Sequence, residues 1–489
     1  MCGIVGFVGK QGNKEQVLDD MMKVIIHRGP DSAGKYVNDQ VALGFRRLSI
    51  IDLENGSQPM FNEDGEVGIV FNGEIYNSPE LRERFQAKGH VFKNSSDTET
   101  LVHGYEEYGE KLVHELRGMF GFAIWDNKKK RLFMARDFFG IKPVYYAMIR
   151  GNLVFGSEIK SILEFPGFKK EVNNEALEEY LSFQYSNLPE TFFKGVYRLL
   201  PGHYLTYQNG ELNVTQYFDP TLEPVSKDSQ EELVKKLTNV LEDSVDKHML
   251  ADVEVGAFLS SGVDSSYIAA KYSGKKTFTV GFFDKNNQYS ETQYAEECAK
   301  FLGLENYSHQ ITEEEYWGEM PKIMYHMDEP LADPAAIALY FVAREAAKQV
   351  KVVTSGEGAD EFFGGYTIYR EPLSLRWLSW LPKSWRKSMA NLAEKLPEGM
   401  KGRSYIIRAS KSVEERFIGN ANIFTEEECK KLLKVKTNAP SPEALLAAKY
   451  KKMSKYDDTT KMQYIDLTNW LPGDILLKAD KMSMAHSLE

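Results

Sequence analysis

The order of predicted strands and helices changes once along this chain, and that change constrains its architecture more than any other feature. Up to residue 217, apolar runs such as GIVGFV, VALGFRRLSII and FGFAIWD predict successive strands, with helical patterns only in the middle. After residue 229, apolar strands alternate with helical patterns. The stretch FDPTLEPVSKDSQ at 218–230, rich in Pro, Asp and Ser, separates the two patterns and predicts a domain boundary.

The two patterns predict two fold classes. Successive strands with few helices favour an α+β domain over residues 1–217, built from mostly antiparallel sheets. Alternating strands and helices favour an α/β domain with a parallel sheet over residues 229–489, and its part after about Glu371 is predicted to be helical. Ligands of parallel sheets bind at the carboxyl ends of the strands, so the loops at those ends are the first place to look for chemistry.

The composition excludes several classes of protein. Lys and Arg number 60 against 71 Asp and Glu, and a formal net charge of −11 disfavours nucleic-acid binding. The three cysteines are too few for a disulfide framework; Cys298 is predicted to pack in a core, and Cys429 to lie in a surface helix without a role. Neither a signal peptide nor a membrane-spanning stretch is recognisable, so we expect a cytoplasmic protein without membrane partners.

Two loops rich in serine and glycine follow predicted strands of the second domain. In the first loop, LSSGVDSS, Ser260, Gly262 and Ser265 are small or hydroxyl residues that can cradle a phosphate group where a helix begins. The loop lacks the usual ATPase pattern but resembles the S-G-G-x-D-S pyrophosphate loop of ATP pyrophosphatases, with Ser261 at the second glycine. The second loop is SGEGADEFFGGY. Each loop alone could be an ordinary turn, but the two loops together favour a nucleotide site.

Each of these loops also carries a candidate ligand for Mg²⁺, Asp264 in the first and Asp360 in the second. Magnesium prefers oxygen ligands and usually keeps substrate phosphates in its shell, where it would offset the charge on departing pyrophosphate. Cleavage of ATP between its α and β phosphates suits the activation of a carboxylate as an acyl-adenylate. An amine or ammonia can then attack, so ATP is the predicted substrate and Mg²⁺ its ion.

The chain begins MCGIVGF, which places a thiol at the second residue. Methionine before a small residue is commonly removed, and removal would leave Cys2 with a free α-amine whose ordinary pKa is about 7.7–8.0. That amine could deprotonate the thiol directly or through a water, as in N-terminal nucleophiles. A packing role is the structural alternative for Cys2. Because the α-amine can act as the base, the reaction needs no histidine for this step. His27 in HRGPD is therefore predicted to have a structural or positioning role.

Glutamine is the obvious source of ammonia that would connect the thiol with the acyl-adenylate. A free amino acid needs a cation for its carboxylate and an anion for its amine, and Arg47 and Asp97 are the candidates. In NGEIYN, the side-chain amide of Asn72 and the backbone N–H of Gly73 could form an oxyanion hole. A turn at Asn-Gly and a surface charge at Arg47 are the structural alternatives.

Motifs along the whole chain resemble, in order, those of the class B, glutamine-hydrolysing asparagine synthetase family. They are MCGIVGF, HRGPD, RLSIID, NGEIYN, SSDTE, ARDFFGIKP, SSGVDSS, SGEGADEFFGGY and LLKADKMSMAHSLE. The resemblance implies an N-terminal nucleophile αββα sandwich (a class II glutamine amidotransferase), followed by an adenine-nucleotide α-hydrolase-like synthetase domain. It implies synthesis of L-asparagine from L-aspartate, ATP and glutamine through a β-aspartyl-adenylate, with release of AMP, pyrophosphate and glutamate.

The resemblance also implies roles for individual residues. Cys2 would be the nucleophile and Glu357 would lie near the β-aspartyl intermediate, while Asp264 and Asp360 would hold Mg²⁺. The residues implied to contact glutamine are Arg47, Asn72, Gly73, Glu74 and Asp97, and those implied to lie against ATP are Leu259, Val280, Ser355 and Gly356. Family members pass ammonia through an internal channel and often dimerise, so we expect a channel and a homodimer.

The resemblance has one departure. Family chains normally continue past SMAHSLE, so the synthetase domain at 229–489 is expected to be incomplete at its C-terminal end relative to the family. The missing part usually carries a basic residue near the adenylate; Lys478 and Lys481 are nearby in sequence. Two alternatives therefore stay open, namely the same chemistry on another carboxylate and a homologue whose synthetase half is inactive.

Overall fold

A computed structural model describes residues 2–222, 226–283, 291–397 and 399–489 of the chain. Met1, whose removal is predicted, and residues 223–225 of the predicted boundary lie outside the described residues.

The N-terminal half is built from antiparallel strands and a few helices. Its strands are β1 (Gly3–Val8), β2 (Ser32–Val37), β3 (Val41–Arg47), β4 (Met60–Phe61), β5 (Val67–Ile75), β6 (Gly118–Asp126), β7 (Arg131–Arg136), β8 (Tyr145–Ile149), β9 (Asn152–Gly156), β10 (Val196–Arg198), β11 (His203–Gln208) and β12 (Glu211–Gln216). Its α-helices are α1 (Lys14–Lys23), α2 (Ser78–Gln86), α3 (Asp97–Tyr108), α4 (Ile159–Leu163) and α5 (Asn174–Phe183). The strands form two sheets, in the orders β10-β8-β9-β1-β3-β2 and β12-β11-β7-β6-β5-β4.

The alternation of side chains along β1 explains how these sheets stack. Ile4 and Val8 pack with Val70 of the second sheet in a core between the two sheets. Val5 and Phe7 point the other way, into a core shared with α1 and α4. The second sheet is covered on its outer face by α2 and α3. The layers are thus helix, sheet, sheet, helix, and the predicted αββα sandwich is confirmed.

The C-terminal half alternates strands and helices before it becomes helical, as predicted. Its strands are β13 (Val255–Phe258), β14 (Lys276–Phe282), β15 (Glu305–Ile311) and β16 (Val352–Thr354). Its α-helices are α6 (Gln230–His248), α7 (Val263–Lys271), α8 (Thr292–Leu302), α9 (Glu313–Met327), α10 (Ala335–Ala346), α11 (Ala359–Phe363), α12 (Glu371–Ser379), α13 (Lys383–Glu394), α14 (Arg403–Ala409), α15 (Val413–Arg416), α16 (Glu426–Leu432), α17 (Pro442–Lys452), α18 (Asp458–Ile465) and α19 (Leu476–Met484). A π-helical segment, Asp466–Ile475, joins α18 to α19. The strands pair in parallel in the order β15-β14-β13-β16, which places the loops after β13 and β16 side by side.

A group of buried charges joins the two halves. Arg28 is 0% exposed, and its guanidinium donates to both carboxylate oxygens of Asp480 on α19, at 2.8 and 3.1 Å. The same guanidinium donates to Glu158 (3.0 Å) and to the backbone carbonyl oxygen of Cys2 (3.2 Å). Moving α19 away from the N-terminal sandwich would separate Arg28 from Asp480 in the protein interior. These charges therefore fix the position of α19 against the sandwich.

Arg28→Met is expected to lower the free energy of unfolding by about 3–5 kcal/mol, because Asp480 loses its close buried cation, whereas Glu158 keeps Lys160. Arg117→Met is the matched control. The ion pair between Arg117 and Asp243 (2.6 Å) also joins the two halves but is exposed, so its loss costs about 0–1 kcal/mol. Chemical denaturation followed by circular dichroism measures both, and equal stability losses would contradict the prediction.

Candidate functional site

Cys2 directly precedes β1, and its half-buried side chain packs against the core between the two sheets. The backbone nitrogen of Cys2 donates to Oδ1 of Asn72 (3.0 Å), and Sγ lies 3.8 Å from the carbonyl oxygen of Leu48. Burial raises the pKa of the Cys2 thiol, so formation of the thiolate needs a base nearby. Asn72 holds the nitrogen that the predicted removal of Met1 would turn into such a base.

The two oxyanion-hole candidates, Asn72 and Gly73, are consecutive on β5. Asn72 is fully buried, and its Nδ2 has no hydrogen-bond partner among the described residues. A buried amide donor of this kind is costly unless an acceptor reaches it. Gly73 has a φ of 148°, and a Cβ there would lie 2.0 Å from the Met119 carbonyl oxygen, so only glycine fits. The pair fits the predicted oxyanion hole.

A small pocket brings together four of the five predicted glutamine-binding residues, and the fifth, Asn72, precedes Gly73 but does not line the pocket. Its lining includes Cys2, Arg47, Gly73, Glu74 and Asp97. Arg47 is buried at the end of β3, and its guanidinium donates to the carbonyl oxygens of Asp52 (2.6 Å) and Leu53 (3.2 Å). Because these acceptors are neutral, the guanidinium charge remains available for a substrate carboxylate.

Two buried carboxyl groups line the same pocket. Asp97 is the first residue of α3, and its Oδ2 accepts a hydrogen bond from the backbone nitrogen of Ile75 (2.9 Å). Burial raises the pKa of Asp97 to about 6. Burial, with the nearby Glu489 carboxyl group, also raises the pKa of Glu74 well above its ordinary value. Both carboxyl groups would be stabilised in their charged form by a cation such as the ammonium group of an amino acid.

We expect the KM for glutamine to rise as the pH falls through about 6, because Asp97 then takes up a proton and loses the charge that attracts the substrate ammonium group. Well below pH 6, the KM should increase by about tenfold for each further pH unit of acidification. Asp97→Asn should give a high KM with a weaker dependence on pH, because Glu74 remains in the pocket, whereas Asp64→Asn, at an exposed turn, should match the parent. Glutaminase kinetics across this pH range provide the test, and a constant KM in the parent would contradict the assignment.

The first loop of the C-terminal half, at 259–262, connects β13 to α7. The Ser260 nitrogen donates to Ser265 Oγ (3.1 Å), the two hydroxyl oxygens lie 2.9 Å apart, and the Gly262 nitrogen donates to Ser260 Oγ (3.1 Å). These bonds curl the loop at the start of the helix and leave Ser260 and Gly262 exposed, where a phosphate group can reach them. Leu259 is buried beneath the loop, and Val280 on β14 is half-buried.

The second loop, at 355–358, connects β16 to α11 and touches the first. A Cβ at Gly356 would lie 3.1 Å from the backbone carbon of Asp264 and from the Ser265 nitrogen, so glycine permits the close approach. Asp264 is exposed at the start of α7. Burial and the nearby charge of Asp264 both raise the pKa of Asp360. Paired carboxylates of this kind are suitable oxygen donors for Mg²⁺.

Glu357 lies in the second loop, where it is accessible to solvent through the cavity described below. Desolvation by the surrounding protein raises the pKa of its carboxyl group, and the cation of Lys478 opposes that rise. Lys478 is buried on α19, and its Nζ donates to Asp474 (2.8 Å). Sequence position alone suggested both Lys478 and Lys481. The structure separates them, because Lys481 donates to Asp328 (2.6 Å) at the contact between the halves.

A cavity of about 540 Å³ lies between the two halves of the chain and borders both Ser-Gly loops. Its lining includes Glu74, Met119, Ile141 and Lys142 from the N-terminal half, and Leu237, Asp264, Ser355, Gly356, Glu357 and Leu476 from the C-terminal half. Glu74 lines both this cavity and the small pocket that contains Cys2. The segments that form the cavity are far apart in the sequence, so no local pattern predicts them.

Comparisons with known proteins identify the family. A family model described as a glutamine amidotransferase domain matches residues 1–218, and one described as asparagine synthase matches residues 236–489. Asparagine synthetase [glutamine-hydrolyzing] 1 of Bacillus subtilis is 46% identical over 499 aligned positions, which cover 100% of this chain and 78% of that protein. The chain belongs to the glutamine-hydrolysing asparagine synthetase family.

Other members of the family are also similar over the full chain. A putative asparagine synthetase [glutamine-hydrolyzing] of Mycobacterium bovis is 42% identical, with 100% of this chain and 79% of the relative covered.

Among solved structures, a B. subtilis glutamine phosphoribosylpyrophosphate amidotransferase covers 63% of this chain and 65% of its own at a TM-score of 0.35 and 16% identity. None of the described helices has the length and apolar character needed to cross a membrane.

Proposed function

We propose that this chain is a glutamine-dependent amidotransferase that makes L-asparagine from L-aspartate, ATP and glutamine. The reaction would pass through a β-aspartyl-adenylate and release AMP, pyrophosphate and glutamate. Residues 1–217 would be the glutaminase and residues 229–489 the synthetase. The observation that supports this most strongly is the cavity, whose lining includes both Glu74, which also lines the Cys2 pocket, and Glu357 of the second Ser-Gly loop.

In the glutaminase reaction, the Cys2 thiolate attacks the side-chain amide carbon of glutamine. The α-amine of Cys2, held by Asn72, takes the thiol proton and then gives it to the amide nitrogen of the tetrahedral intermediate, which leaves as ammonia. Nδ2 of Asn72 and the N–H of Gly73 donate to the oxyanion of the tetrahedral intermediate. Water hydrolyses the resulting thioester to glutamate and regenerates the thiol.

Charge complementarity orients the glutamine for this attack. Arg47 pairs with the α-carboxylate of glutamine, and Asp97 and Glu74 bind its ammonium group. Binding of the ammonium group favours the ionised state of both acids, which compensates for the cost of their burial.

In the synthetase reaction, a carboxylate oxygen of aspartate attacks the α-phosphorus of ATP and displaces pyrophosphate. The residues assigned to pyrophosphate are Ser260, Gly262 and Ser265, and those assigned to the rest of ATP are Leu259, Val280, Ser355 and Gly356. Asp264 and Asp360 would hold Mg²⁺, which would neutralise charge on the phosphates. The effect of the Asp264 charge on the pKa of Asp360 supports the assignment, because neighbouring carboxylates are stabilised by a shared cation. Glu357 would lie beside the β-aspartyl group.

Ammonia released at Cys2 would cross the cavity and attack the activated carbonyl carbon, with AMP as the leaving group. Met119, Ile141, Leu237 and Leu476 give the path apolar walls, which suit neutral ammonia better than ammonium. Apolar walls of this kind would disfavour protonation of the ammonia to ammonium on its way.

ATP–pyrophosphate exchange identifies the acceptor. Exchange stimulated by aspartate above other acids supports asparagine synthesis. Exchange with a different carboxylic acid would move the function to that acceptor, and no exchange with any acid would favour a homologue with an inactive synthetase half. Homodimer formation and a cytoplasmic location remain predictions from the sequence.

A further inference from the structure

Four metal-ligating side chains meet on the N-terminal half, outside both sites described above. They are Glu63, His90, His103 and Glu106, and each offers one ligand atom within 4.8 Å of the other three. Glu63 lies between β4 and β5, and His90 follows α2. His103 and Glu106 are three residues apart on α3, so they share one face of that helix.

The spacing of the ligand atoms matches a small tetrahedral ion. His90 Nδ1 lies 3.3 Å from Glu63 Oε1 and 3.8 Å from Glu106 Oε2. His103 Nδ1 lies 3.4 Å from Glu63 Oε2 and 3.2 Å from Glu106 Oε2. Four ligands about 2.0–2.1 Å from a zinc ion are separated by about 3.3–3.4 Å along the edges of the tetrahedron. Three of the four separations lie near this value and the fourth is 3.8 Å. Rotation of the side chains, with Glu63 turning one oxygen to the ion, would complete the shell.

Backbone and side-chain donors orient both glutamates toward the histidines. The Val91 backbone nitrogen donates to Glu63 Oε1 (3.0 Å), and Asn62 Nδ2 donates to Glu106 Oε1 (2.6 Å). Asn62 is itself buried and accepts a hydrogen bond from the Val67 nitrogen (3.0 Å), which fixes its position. Glu106 Oε2 therefore faces both imidazole rings, while Glu63 presents Oε1 to His90 and Oε2 to His103.

The other nitrogen of each imidazole faces a further carboxylate. His90 Nε2 lies 3.2 Å from Glu107 Oε1, and His103 Nε2 lies 3.9 Å from Glu99 Oε1. In protein metal sites, the nitrogen that does not bind the ion usually donates to a carboxylate, which fixes the tautomer of the ring. Both rings direct Nδ1 to the centre of the cluster. His90 also has the outer carboxylate, whereas the buried Nε2 of His103 has no hydrogen-bond partner among the described residues and faces Glu99 at 3.9 Å.

We propose that Glu63, His90, His103 and Glu106 bind a divalent transition-metal ion, with Zn²⁺ as the best fit. Imidazole nitrogens favour this class of ion, whereas Mg²⁺ and Ca²⁺ take shells of oxygen ligands. Four protein ligands fill a tetrahedral shell, so the ion is structural. It connects the β4–β5 turn and the segment after α2 to α3, whose first residue, Asp97, lines the Cys2 pocket.

Co²⁺ and Zn²⁺ binding to the full chain tests this proposal after treatment with a chelator and dialysis. We expect one Co²⁺ per chain with the intense visible absorption of tetrahedral coordination, displacement of Co²⁺ by Zn²⁺, and a higher thermal midpoint with Zn²⁺. Glu107→Gln should weaken Zn²⁺ binding by about 10–100-fold through the outer shell, and His90→Gln should weaken it further. His114→Gln, at an exposed site in the same half, should bind like the parent.

Two results would overturn the proposal. One is the absence of tetrahedral Co²⁺ absorption in the parent chain, which would leave the cluster as ion pairs between protonated histidines and glutamates. The other is unchanged Zn²⁺ affinity in both His90→Gln and Glu107→Gln. Circular dichroism of the metal-free variants establishes whether they are folded. If His90→Gln does not fold, Glu107→Gln still provides the test.

Discussion

Cys2→Ala is expected to abolish asparagine formation from glutamine and to leave formation from ammonia intact. The substitution removes the only sulfur in the pocket formed by Arg47, Gly73, Glu74 and Asp97, as far as the described residues show, and leaves the Ser-Gly loops unchanged. The glutamine-dependent rate should fall by about 10³-fold or more, because the covalent route depends on that nucleophile. Parallel assays with glutamine or ammonium chloride as the nitrogen source measure both activities.

Cys429→Ala is the matched control for this substitution. Cys429 is 0% exposed on α16 and lies 3.6 Å from Ser182 Oγ, so its loss should leave both nitrogen sources usable. Glutamine-dependent synthesis that persists in Cys2→Ala at the parental rate would refute the assignment of the nucleophile.

Asp264→Asn is expected to suppress ATP–pyrophosphate exchange by about 10²–10³-fold while glutamine hydrolysis changes by less than about twofold. The amide keeps the size of the side chain but removes the charge that would hold Mg²⁺ beside Asp360. The Cys2 pocket contains no residue of this loop, so its chemistry should continue. Exchange of labelled pyrophosphate and release of glutamate, measured on the same preparation, give the two rates.

Asp243→Asn serves as the comparison for that experiment. Asp243 is an exposed carboxylate of the same half whose partner is Arg117, and its substitution should leave both rates near the parental values. If Asp264→Asn lowers exchange and glutamine hydrolysis equally, the two reactions do not occur at separate sites.

The layers of the N-terminal half follow from patterns that are local in the sequence. In GIVGFV the apolar side chains alternate between two faces, and both faces are buried because one meets the second sheet and the other meets α1 and α4. The capping box at the start of α6 is equally local. The Ser229 nitrogen donates to Glu232 Oε2 (2.8 Å), and the Glu232 nitrogen donates to Ser229 Oγ (3.3 Å).

The chemistry of the ATP loops could be predicted, but their contact could not. The Ser and Gly pattern placed each loop at the end of a strand, whereas contact between Gly356 and Asp264 depends on β13 and β16 being neighbours. Helix patterns do not encode which strands become neighbours.

Cys429 shows that a local pattern also fails to predict which residues of a helix become buried. Its three preceding glutamates predicted a surface helix, but the cysteine itself faces α5 and is buried.

Pairs of residues distant in sequence escaped prediction most completely. Arg28 and Asp480 are 452 positions apart, and the sequence around neither residue indicates a partner for the buried charge.

His27 was predicted to have a structural or positioning role. Its Nε2 lies 3.1 Å from Glu158, and its ring packs on that of His326 with centroids 4.5 Å apart.

Transfer of the glutamine amide nitrogen tests the central claim most directly. The full chain is supplied with amide-¹⁵N glutamine, aspartate, Mg²⁺ and ATP in the presence of unlabelled ammonium, and the products are quantified by mass spectrometry. Our account predicts asparagine with ¹⁵N in its amide and an equal amount of AMP. Labelled ammonia and glutamate without labelled asparagine, or ADP in place of AMP, would contradict it.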